Sequence, residues 1–341
     1  MKHTARPLLI SLAFLAGALL LSVAVGSVFI PPADLWRALI SAFGAPAANA
    51  PSQTFNTIVL SLRLPRTLLM AMAGAALGGS GAAYQGLFRN PLADPYLIGV
   101  ASGAGLGAVI AMTVRWPYTP LGLLAVPLAA FAGALLTVVI VYQLGRVGRT
   151  LPTSNLILAG VAVSSFTTAL TSFLMINSTG EMRRALVWMM GGAAMSGWGP
   201  VLSLLPYMAL GLTGLLTLGH PLNVLQFGDE QAQQLGLPVE RMRRIIIVLA
   251  SLTTAAAVAF AGVIGFVGLI VPHVVRLLWG GDYRRILPLS LVCGAGFLLV
   301  ADVLARVAMA PQELPVGVIT SLTGAPFFLW LLRRARQQNF W

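Results

Sequence analysis

The chain has 341 residues, of which 58% are hydrophobic and only 9% are charged. A soluble domain carries about 25% charged residues, so this chain lacks the polar side chains to cover a water-facing surface and requires a lipid bilayer as its solvent. The net charge of +12 fits the Arg and Lys excess of cytoplasmic loops in membrane proteins, and we do not expect nucleic-acid binding. The single cysteine, Cys293, excludes a disulfide within the chain and a cysteine metal site.

Ten apolar stretches along the chain approach the length of a bilayer crossing. A crossing helix needs roughly 20 apolar residues, and at this hydropathy only helices satisfy their own backbone in lipid. Residues 245–279 form one apolar run, which we divide at Gly262, Gly265 and Gly268 into a seventh and an eighth span. We therefore predict an all-α integral membrane protein, one domain over residues 1–341, with about ten spans: 8–30, 64–87, 96–114, 120–144, 154–176, 200–219, 243–262, 265–280, 286–308 and 315–332.

Three segments between the spans stand out. The first outer loop, 31–62, is rich in Pro, Ala and Asn and is expected to lie over the membrane surface. The polar stretch 220–243 contains a helix start at Gly228-Asp229 and a stop at Gly236, which predict a short helix on the cytoplasmic face. Residues 184–192 are too short to cross and predict a short helix at the outer mouth.

Basic residues set the predicted orientation. An even number of spans, ten, puts both termini on the same side of the membrane. If the termini are cytoplasmic, most Arg and Lys residues fall in cytoplasmic segments, as is usual for membrane proteins. Three arginines, Arg63, Arg66 and Arg306, instead fall at the outer ends of their spans. Their charge predicts a positive surface that receives an acidic partner, because Arg pairs bidentately with carboxylates.

The remaining polar residues exclude several kinds of chemistry. The sequence has no H-E-x-x-H motif, no G-x-S-x-G and no G-x-x-x-x-G-K-[ST] phosphate loop, so the chain does not hydrolyse ATP by itself. Only one acid, Asp302, falls within a span, and Arg306 four residues later predicts an ion pair with it. An ion-coupled carrier needs ionisable groups at membrane depth and is therefore disfavoured, but it remains the alternative. An intramembrane enzyme is also disfavoured, since the sequence shows no evident nucleophile–base pair.

Four stretches in order carry a resemblance to a known family. They are residues 63–107 with the turn RNPLADP, GDEQAQQLGLP at 228–238, GVIGFVGLIVPHVVR at 262–276, and ADVLARVAMAPQELPVGVITSLTGAPFFLWLL at 301–332. Together they resemble the FecCD family, the membrane permease subunits of type II ABC importers for cobalamin, ferric siderophores and haem. The resemblance runs from residue 63 to residue 332 and is specific for the family but much less so for the substrate.

The resemblance implies a type II ABC importer permease fold in the plasma (inner) membrane of a prokaryote. The partners that it implies are a second copy of this chain, two copies of an ABC ATPase, and a periplasmic or lipid-anchored substrate-binding protein. No cofactor is expected on this chain, because ATP and Mg²⁺ would bind to the ATPase. Arg63, Arg66 and Arg306 match arginines that dock the binding protein. The other matches are the cytoplasmic gates Asn90, Leu92, Thr153 and Ser154, and the ATPase-coupling residues Asp229, Glu230, Gln231, Gln234, Leu235, Gly236 and Leu237.

The predicted function is therefore ATP-driven import of an iron or cobalt chelate through a homodimer pathway, with this chain as a transport subunit and not an enzyme. We rank a ferric siderophore first on the breadth of that class, with cobalamin and haem close behind. No His, Tyr or Cys in the expected pathway is an evident metal ligand, which suits a cargo that travels with its own chelator. Four methionines near the outer mouth are candidates for a smooth lining: Met175, Met182, Met189 and Met190.

Overall fold

Helices make up the regular structure throughout the part of the chain that the computed structural model describes. These residues are 2–26, 56–114, 119–148, 150–177, 182–193 and 197–337, with isolated positions between them. In chain order the helices are α1 (Lys2–Ala24), α2 (Leu64–Leu87), α3 (Val100–Met112), α4 (Pro120–Gly145), α5 (Thr153–Asn177), α6 (Met182–Met189), α7 (Trp198–Thr217), α8 (Gly219–Leu225), α9 (Asp229–Gln234), α10 (Val239–Ala261), α11 (Val267–Trp279), α12 (Tyr283–Val307) and α13 (Val316–Gln337).

The ten predicted spans each correspond to one of these helices. In the described residues, 7 helices are long and apolar enough to cross a membrane, and three shorter apolar helices are Val100–Met112, Val267–Trp279 and Val316–Leu331. The predicted fold class, an all-α multi-pass membrane protein, is confirmed. The short outer helix expected over 184–192 corresponds to α6, and the polar stretch 220–243 contains α8, α9 and the start of α10.

The structure corrects two span boundaries. The first span was expected to reach residue 30, but α1 ends at Ala24. The second was expected to begin at residue 64, but a π-helical turn, Ile58–Arg63, runs directly into α2, so Arg63 lies inside a helix. Pro65 lies in the first turn of α2, where proline is tolerated, and the π-helical turn extends the helix on its N-terminal side. The predicted outer loop, 31–62, lies mostly outside the described residues.

Helix α2 lies at the centre of the bundle and packs against α7, α10, α11 and α12. Its closest neighbour is α12, where a Cβ on Gly74 would collide with the carbonyl oxygen of Gly294, and a Cβ on Gly294 would collide with that of Gly74. Small residues allow such backbone contact between helices in lipid, where packing and not water exclusion drives association. The two helices are therefore held at a fixed distance and register.

The chain reverses between α10 and α11, as the glycines there predict. Gly262 has φ +67° and Phe266 has φ +70°, a left-handed value that is unfavourable for a side chain with a Cβ. The Phe266 ring packs against the Phe328 ring of α13 at 6.3 Å between centroids, which helps to offset this cost. The hydroxyl of Tyr96 also bridges the reversal, because it donates to the Ile264 carbonyl at 3.0 Å and accepts from the Ile264 amide at 3.2 Å.

Two short helices, α8 and α9, lie between α7 and α10. Asn223 of α8 donates to Oδ1 of Asp282 at 2.6 Å and accepts from the Tyr283 amide at 2.8 Å, which ties α8 to the start of α12. Hydrogen bonds from Arg284 and then from Asn223 hold the pKa of Asp282 at about 2. Helix α9 begins after Gly228 and ends before Gly236, both with positive φ, as the sequence predicts.

Candidate functional site

Two arginine-centred clusters lie at the two ends of α2. The Arg66 cluster, at the N-terminal end, consists of Arg63, Arg66, Asp302, Arg306 and Glu313. The Arg243 cluster, beyond the C-terminal end, consists of Arg89, Asp229, Glu240 and Arg243 with the carbonyl group of Leu151. A helix of 24 residues is about 36 Å long, so the clusters lie at opposite faces of the bundle.

A fully buried carboxylate, Asp302, organises the Arg66 cluster. Arg66 donates to its Oδ1 from Nε at 3.1 Å and from Nη2 at 2.9 Å. The predicted ion pair with Arg306 is present, with Nε 3.0 Å from Oδ2. Arg66 also pairs with Glu313 in the loop between α12 and α13, with Nη1 2.6 Å from Oε2. Sequence reasoning missed Glu313 and the Arg66–Asp302 pair, because nothing local connects residues so far apart in the chain.

The other two arginines of this cluster bind the end of α1. Arg306 donates to the Val25 carbonyl at 2.8 Å and to the Ser22 carbonyl at 3.0 Å. Arg63 donates from Nη1 to the Val23 and Ala24 carbonyls, each at 2.9 Å. The last carbonyls of a helix have no partner within it and carry partial negative charge, so guanidinium groups both satisfy and stabilise them. These contacts fix α1 against α2 and α12.

Burial corrects the expected position of two of the three predicted docking arginines. Arg63 is buried and the side chain of Arg306 is only 5% exposed, so neither lies on an open outer surface in this structure. Arg66 is 20% exposed and its partner Glu313 is 41% exposed. Of the three arginines, Arg66 is therefore the one whose charge reaches the surface here, and the docking role itself stays a prediction.

A buried guanidinium joins four segments in the Arg243 cluster. Arg243, at the start of α10, has a side chain only 6% exposed. It donates from Nη2 to Oδ2 of Asp229 at 2.8 Å, and from Nη1 to the Leu151 carbonyl and to Oε1 of Glu240, each at 3.0 Å. The other oxygen of Asp229, Oδ1, lies 3.4 Å from Nη2 of Arg89, which follows α2. One carboxylate and one guanidinium thus connect α2, the loop before α5, α9 and α10.

The predicted gate residues lie next to members of this cluster in the chain. Asn90 follows Arg89 and accepts a hydrogen bond from the Leu92 amide at 2.9 Å, which closes the turn after α2. Arg89 itself has φ +50°, an uncommon left-handed value that the turn requires. Thr153 and Ser154 open α5 directly after Leu151 and Pro152. The structure thus brings the loops that carry both predicted gates to the same cluster.

The predicted ATPase-coupling residues form an exposed surface around α9. Ala232 is buried and anchors the helix, whereas Glu230, Gln231, Gln234 and Gly236 are exposed. Leu235 is 66% exposed and Phe227, just before α9, is 64% exposed. Exposed apolar side chains beside polar ones are typical of protein contact surfaces. Sequence reasoning missed Phe227, although a lone phenylalanine in the most polar stretch of the chain was the available signal.

The described residues offer no arrangement for resident metal chemistry. No group of three His, Cys, Asp or Glu side chains among them is placed to hold a metal ion. Of the four methionines predicted to line the outer mouth, Met182 and Met190 are exposed, and Met175 and Met189 pack partly against the core. The chemistry that both clusters support is ion pairing and hydrogen bonding, which suits docking and conformational coupling.

Comparison with known proteins identifies relatives over almost the whole chain. The model of the FecCD transport family matches residues 13–334. A cobalamin import system permease protein, BtuC of Halobacterium salinarum, is 48% identical over 87% of this chain and 79% of its own length. The ABC transporter permease protein YvrB of Bacillus subtilis is 42% identical over 96% of this chain and 93% of its own. The hemin transport system permease protein HmuU of Yersinia pestis is 40% identical over 88% and 94%.

A solved structure has the same fold. It shows an inward-facing conformation of a metal-chelate type ABC transporter, and it aligns with a TM-score of 0.77 and 30% sequence identity. The alignment covers 94% of this chain and 98% of that one.

Proposed function

The chain belongs to the FecCD transport family of ABC importer permeases, and from this premise we propose that it forms the membrane pathway of an ATP-driven importer for a metal chelate. The observation that carries the proposal is the Arg243 cluster. It connects α9, a surface helix followed by exposed Leu235, to the loops at the end of α2 and the start of α5. A transport subunit driven by a separate ATPase needs such a connection between its contact surface and its gates.

We propose cobalamin as the first candidate cargo. Two of the named relatives carry cobalamin import or hemin transport in their names, and the cobalamin permease has the higher identity, which moves cobalamin ahead of the ferric siderophore that the sequence alone ranks first. Both named cargoes are metal macrocycles that keep their own ligands. The lack of a three-residue metal site among the described residues is compatible with a pathway that holds such a cargo weakly.

The proposed assembly contains two copies of this chain, two ATPase subunits and one binding protein, in the inner membrane of a prokaryote. We place the Arg243 cluster and both termini in the cytoplasm, so that Asp229–Gln234 and the following Leu235, Gly236 and Leu237 meet the ATPase. The Arg66 cluster then faces the binding protein. Large exposed apolar side chains along α5, including Leu158, Phe166 and Ile176, are available for lipid, for the second copy or for the pathway.

The gates in this proposal are Asn90 and Leu92 in one loop and Thr153 and Ser154 at the start of α5. Asn90 and Ser154 are exposed, whereas Leu92 and Thr153 are half-buried. Arg66 is the direct docking residue in the state seen here. Arg63 and Arg306 support it by holding α1 in place, and they would meet the binding protein only after a rearrangement.

The test is purification followed by reconstitution. The tagged full-length chain is isolated from its native membrane, the co-purifying chains are identified by mass spectrometry, and the assembly is placed in proteoliposomes. We expect an ABC ATPase and a binding protein to co-purify, and uptake of labelled cobalamin, hemin or ferric siderophore to require ATP. Uptake by this chain alone, without ATP and abolished by an uncoupler, would establish the ion-coupled alternative instead.

A further inference from the structure

We infer that Arg243 is the positioning residue that passes movement of α9 to the gate loop before α5, through the Asp229 carboxylate that also contacts Arg89 beside the other gate. The inference rests on the proposed importer function and adds to it a residue outside the gates and outside the coupling surface. The inference concerns how α9 and the two gate loops are held together, and not which partner or cargo is bound.

The first argument is the geometry of the guanidinium group. Arg243 contacts Asp229 of α9, the Leu151 carbonyl before α5, and Glu240 of its own helix. A planar guanidinium offers five donors in a fixed fork, so it holds several partners at set angles, whereas the ammonium group of lysine is a single flexible point. Arg243 therefore fixes the position of α9 relative to the first residues of α5.

The second argument is burial. The Arg243 side chain is 6% exposed, so water does not readily replace a partner that moves away. A buried charge that loses its partner carries a large desolvation penalty. Displacement of α9 by a partner protein would therefore draw Arg243, and with it the Leu151 carbonyl, in the same direction.

The third argument is the shared carboxylate. Asp229 uses Oδ2 for Arg243 and Oδ1 for Arg89, and Arg89 immediately precedes the gate residue Asn90. A shift of Asp229 thus acts on both loops. The contact to Arg89 is longer and more exposed than the contact to Arg243, at 3.4 Å against 2.8 Å. We therefore assign the stronger link to Arg243 and the start of α5.

Arg244, the next residue along α10, provides a matched control. It has the same side chain but is exposed, and its Nε donates to the Glu240 carbonyl within its own helix at 3.3 Å. Replacement of Arg244 by Gln removes the same charge from the same surface without touching α9 or Leu151.

The experiment measures the coupling ratio, which is cargo taken up per ATP hydrolysed, for the complete importer in proteoliposomes. We expect Arg243→Gln to keep ATP hydrolysis while uptake falls by about tenfold or more, because two charge-assisted contacts between segments are lost. Asp229→Asn should lower the ratio less, since the Leu151 contact remains. Arg243→Lys should recover part of the ratio, because an ammonium group can hold either Asp229 of α9 or the Leu151 carbonyl well, but not both. Arg244→Gln should match the wild type.

The outcomes separate the inference from the proposed function. A wild-type complex without ATP-dependent uptake overturns the proposed function and the inference with it. Normal wild-type uptake with an Arg243→Gln ratio equal to that of Arg244→Gln overturns the inference alone. If Arg243→Gln does not reach the membrane folded, Arg243→Lys takes its place, and a wild-type coupling ratio in that variant contradicts the inference.

Discussion

The two arginine clusters of this protein are built from the same side chains but not from the same surroundings. In the Arg66 cluster, Arg66 and Arg306 share a fully buried aspartate, and Arg306 and Arg63 bind the last carbonyls of α1. In the Arg243 cluster, a buried arginine binds two partly exposed acids, Asp229 and Glu240, and one loop carbonyl. The first cluster joins long helices to each other, and the second joins the ends of two long helices to the short helix α9 and a loop.

This difference indicates which end of α2 is fixed and which end is able to move. A buried ion pair with every partner in place is costly to open, because each charge would be left without water or counter-charge. Partly exposed acids exchange a protein partner for water at lower cost. We therefore expect the Arg66 cluster to hold α1, α2 and α12 as one unit while the Arg243 cluster transmits displacement.

The largest effect is expected from removal of the shared aspartate. Asp302→Ala leaves Arg66 and Arg306 without their buried counter-charge and should lower stability by about 3 kcal/mol or more, seen as a lower melting temperature of the detergent-purified chain. Glu313→Gln changes one exposed acid in the same cluster and serves as the control, with little change expected. Equal melting temperatures for Asp302→Ala and wild type would show that the cluster is not the fixed point described here.

Charge reversal on α9 should produce the next largest effect, on coupling more than on stability. Asp229→Lys together with Glu230→Lys removes the carboxylate that Arg243 and Arg89 share and changes the charge of the proposed ATPase contact. We expect uptake to fall by about tenfold at sustained ATP hydrolysis, and the melting temperature to fall by less than in Asp302→Ala, because buried Arg243 keeps its contacts to Glu240 and the Leu151 carbonyl. Full uptake with normal hydrolysis would remove α9 from the coupling route.

The affinity for the binding protein should depend more directly on Arg66 than on Arg63 or Arg306. Arg66→Gln should weaken binding of the binding protein by about tenfold, measured with the purified permease in nanodiscs, because it removes the partly exposed attractive charge without adding a carboxylate beside buried Asp302. Arg63→Glu should instead destabilise the chain, since the new carboxylate would face the Val23 and Ala24 carbonyls. Unchanged affinity in Arg66→Gln would remove the Arg66 cluster from the docking surface.

A smaller effect in the opposite direction is expected from Glu313. This acid already occupies Nη1 of Arg66, so it competes with any acidic group that a partner presents. Glu313→Gln should therefore raise the affinity for the binding protein by about twofold to fivefold, the size expected for a partly exposed ion pair. A fall in affinity would mean that Glu313 helps to form the docking surface and does not mask it.

The smallest effect concerns pH at the junction of α8 and α12. Hydrogen bonds from Arg284 and Asn223 lower the pKa of Asp282 to about 2 from an ordinary value of 3.8. A lowered folded-state pKa contributes stability above the ordinary value, and this contribution is lost as pH falls toward 2. The melting-temperature difference between wild type and Asp282→Asn should thus be constant from pH 6 to pH 8 and shrink below about pH 4. A difference that varies between pH 6 and pH 8 would contradict this assignment.

Local patterns in the sequence predicted those features that depend on neighbouring residues. Hydropathy located the ten helices, Gly228 and Gly236 bounded α9, and the spacing of Asp302 and Arg306 predicted their pair. Contacts between distant segments, such as Arg66 with Asp302 or Arg243 with Leu151, depend on how long helices are turned against each other, which local patterns do not specify. The π-helical turn Ile58–Arg63 was missed because most of it falls in the stretch that was assigned to the outer loop.

Hydrogen–deuterium exchange of the complete importer, with and without ATP and vanadate, tests the contrast between the two clusters most directly. We predict that nucleotide changes amide exchange in the segments around Leu151 and α9 and leaves exchange at the end of α1 and around Arg306 unchanged. A nucleotide-dependent change confined to the Arg66 cluster, with none around Leu151 and α9, would contradict the account.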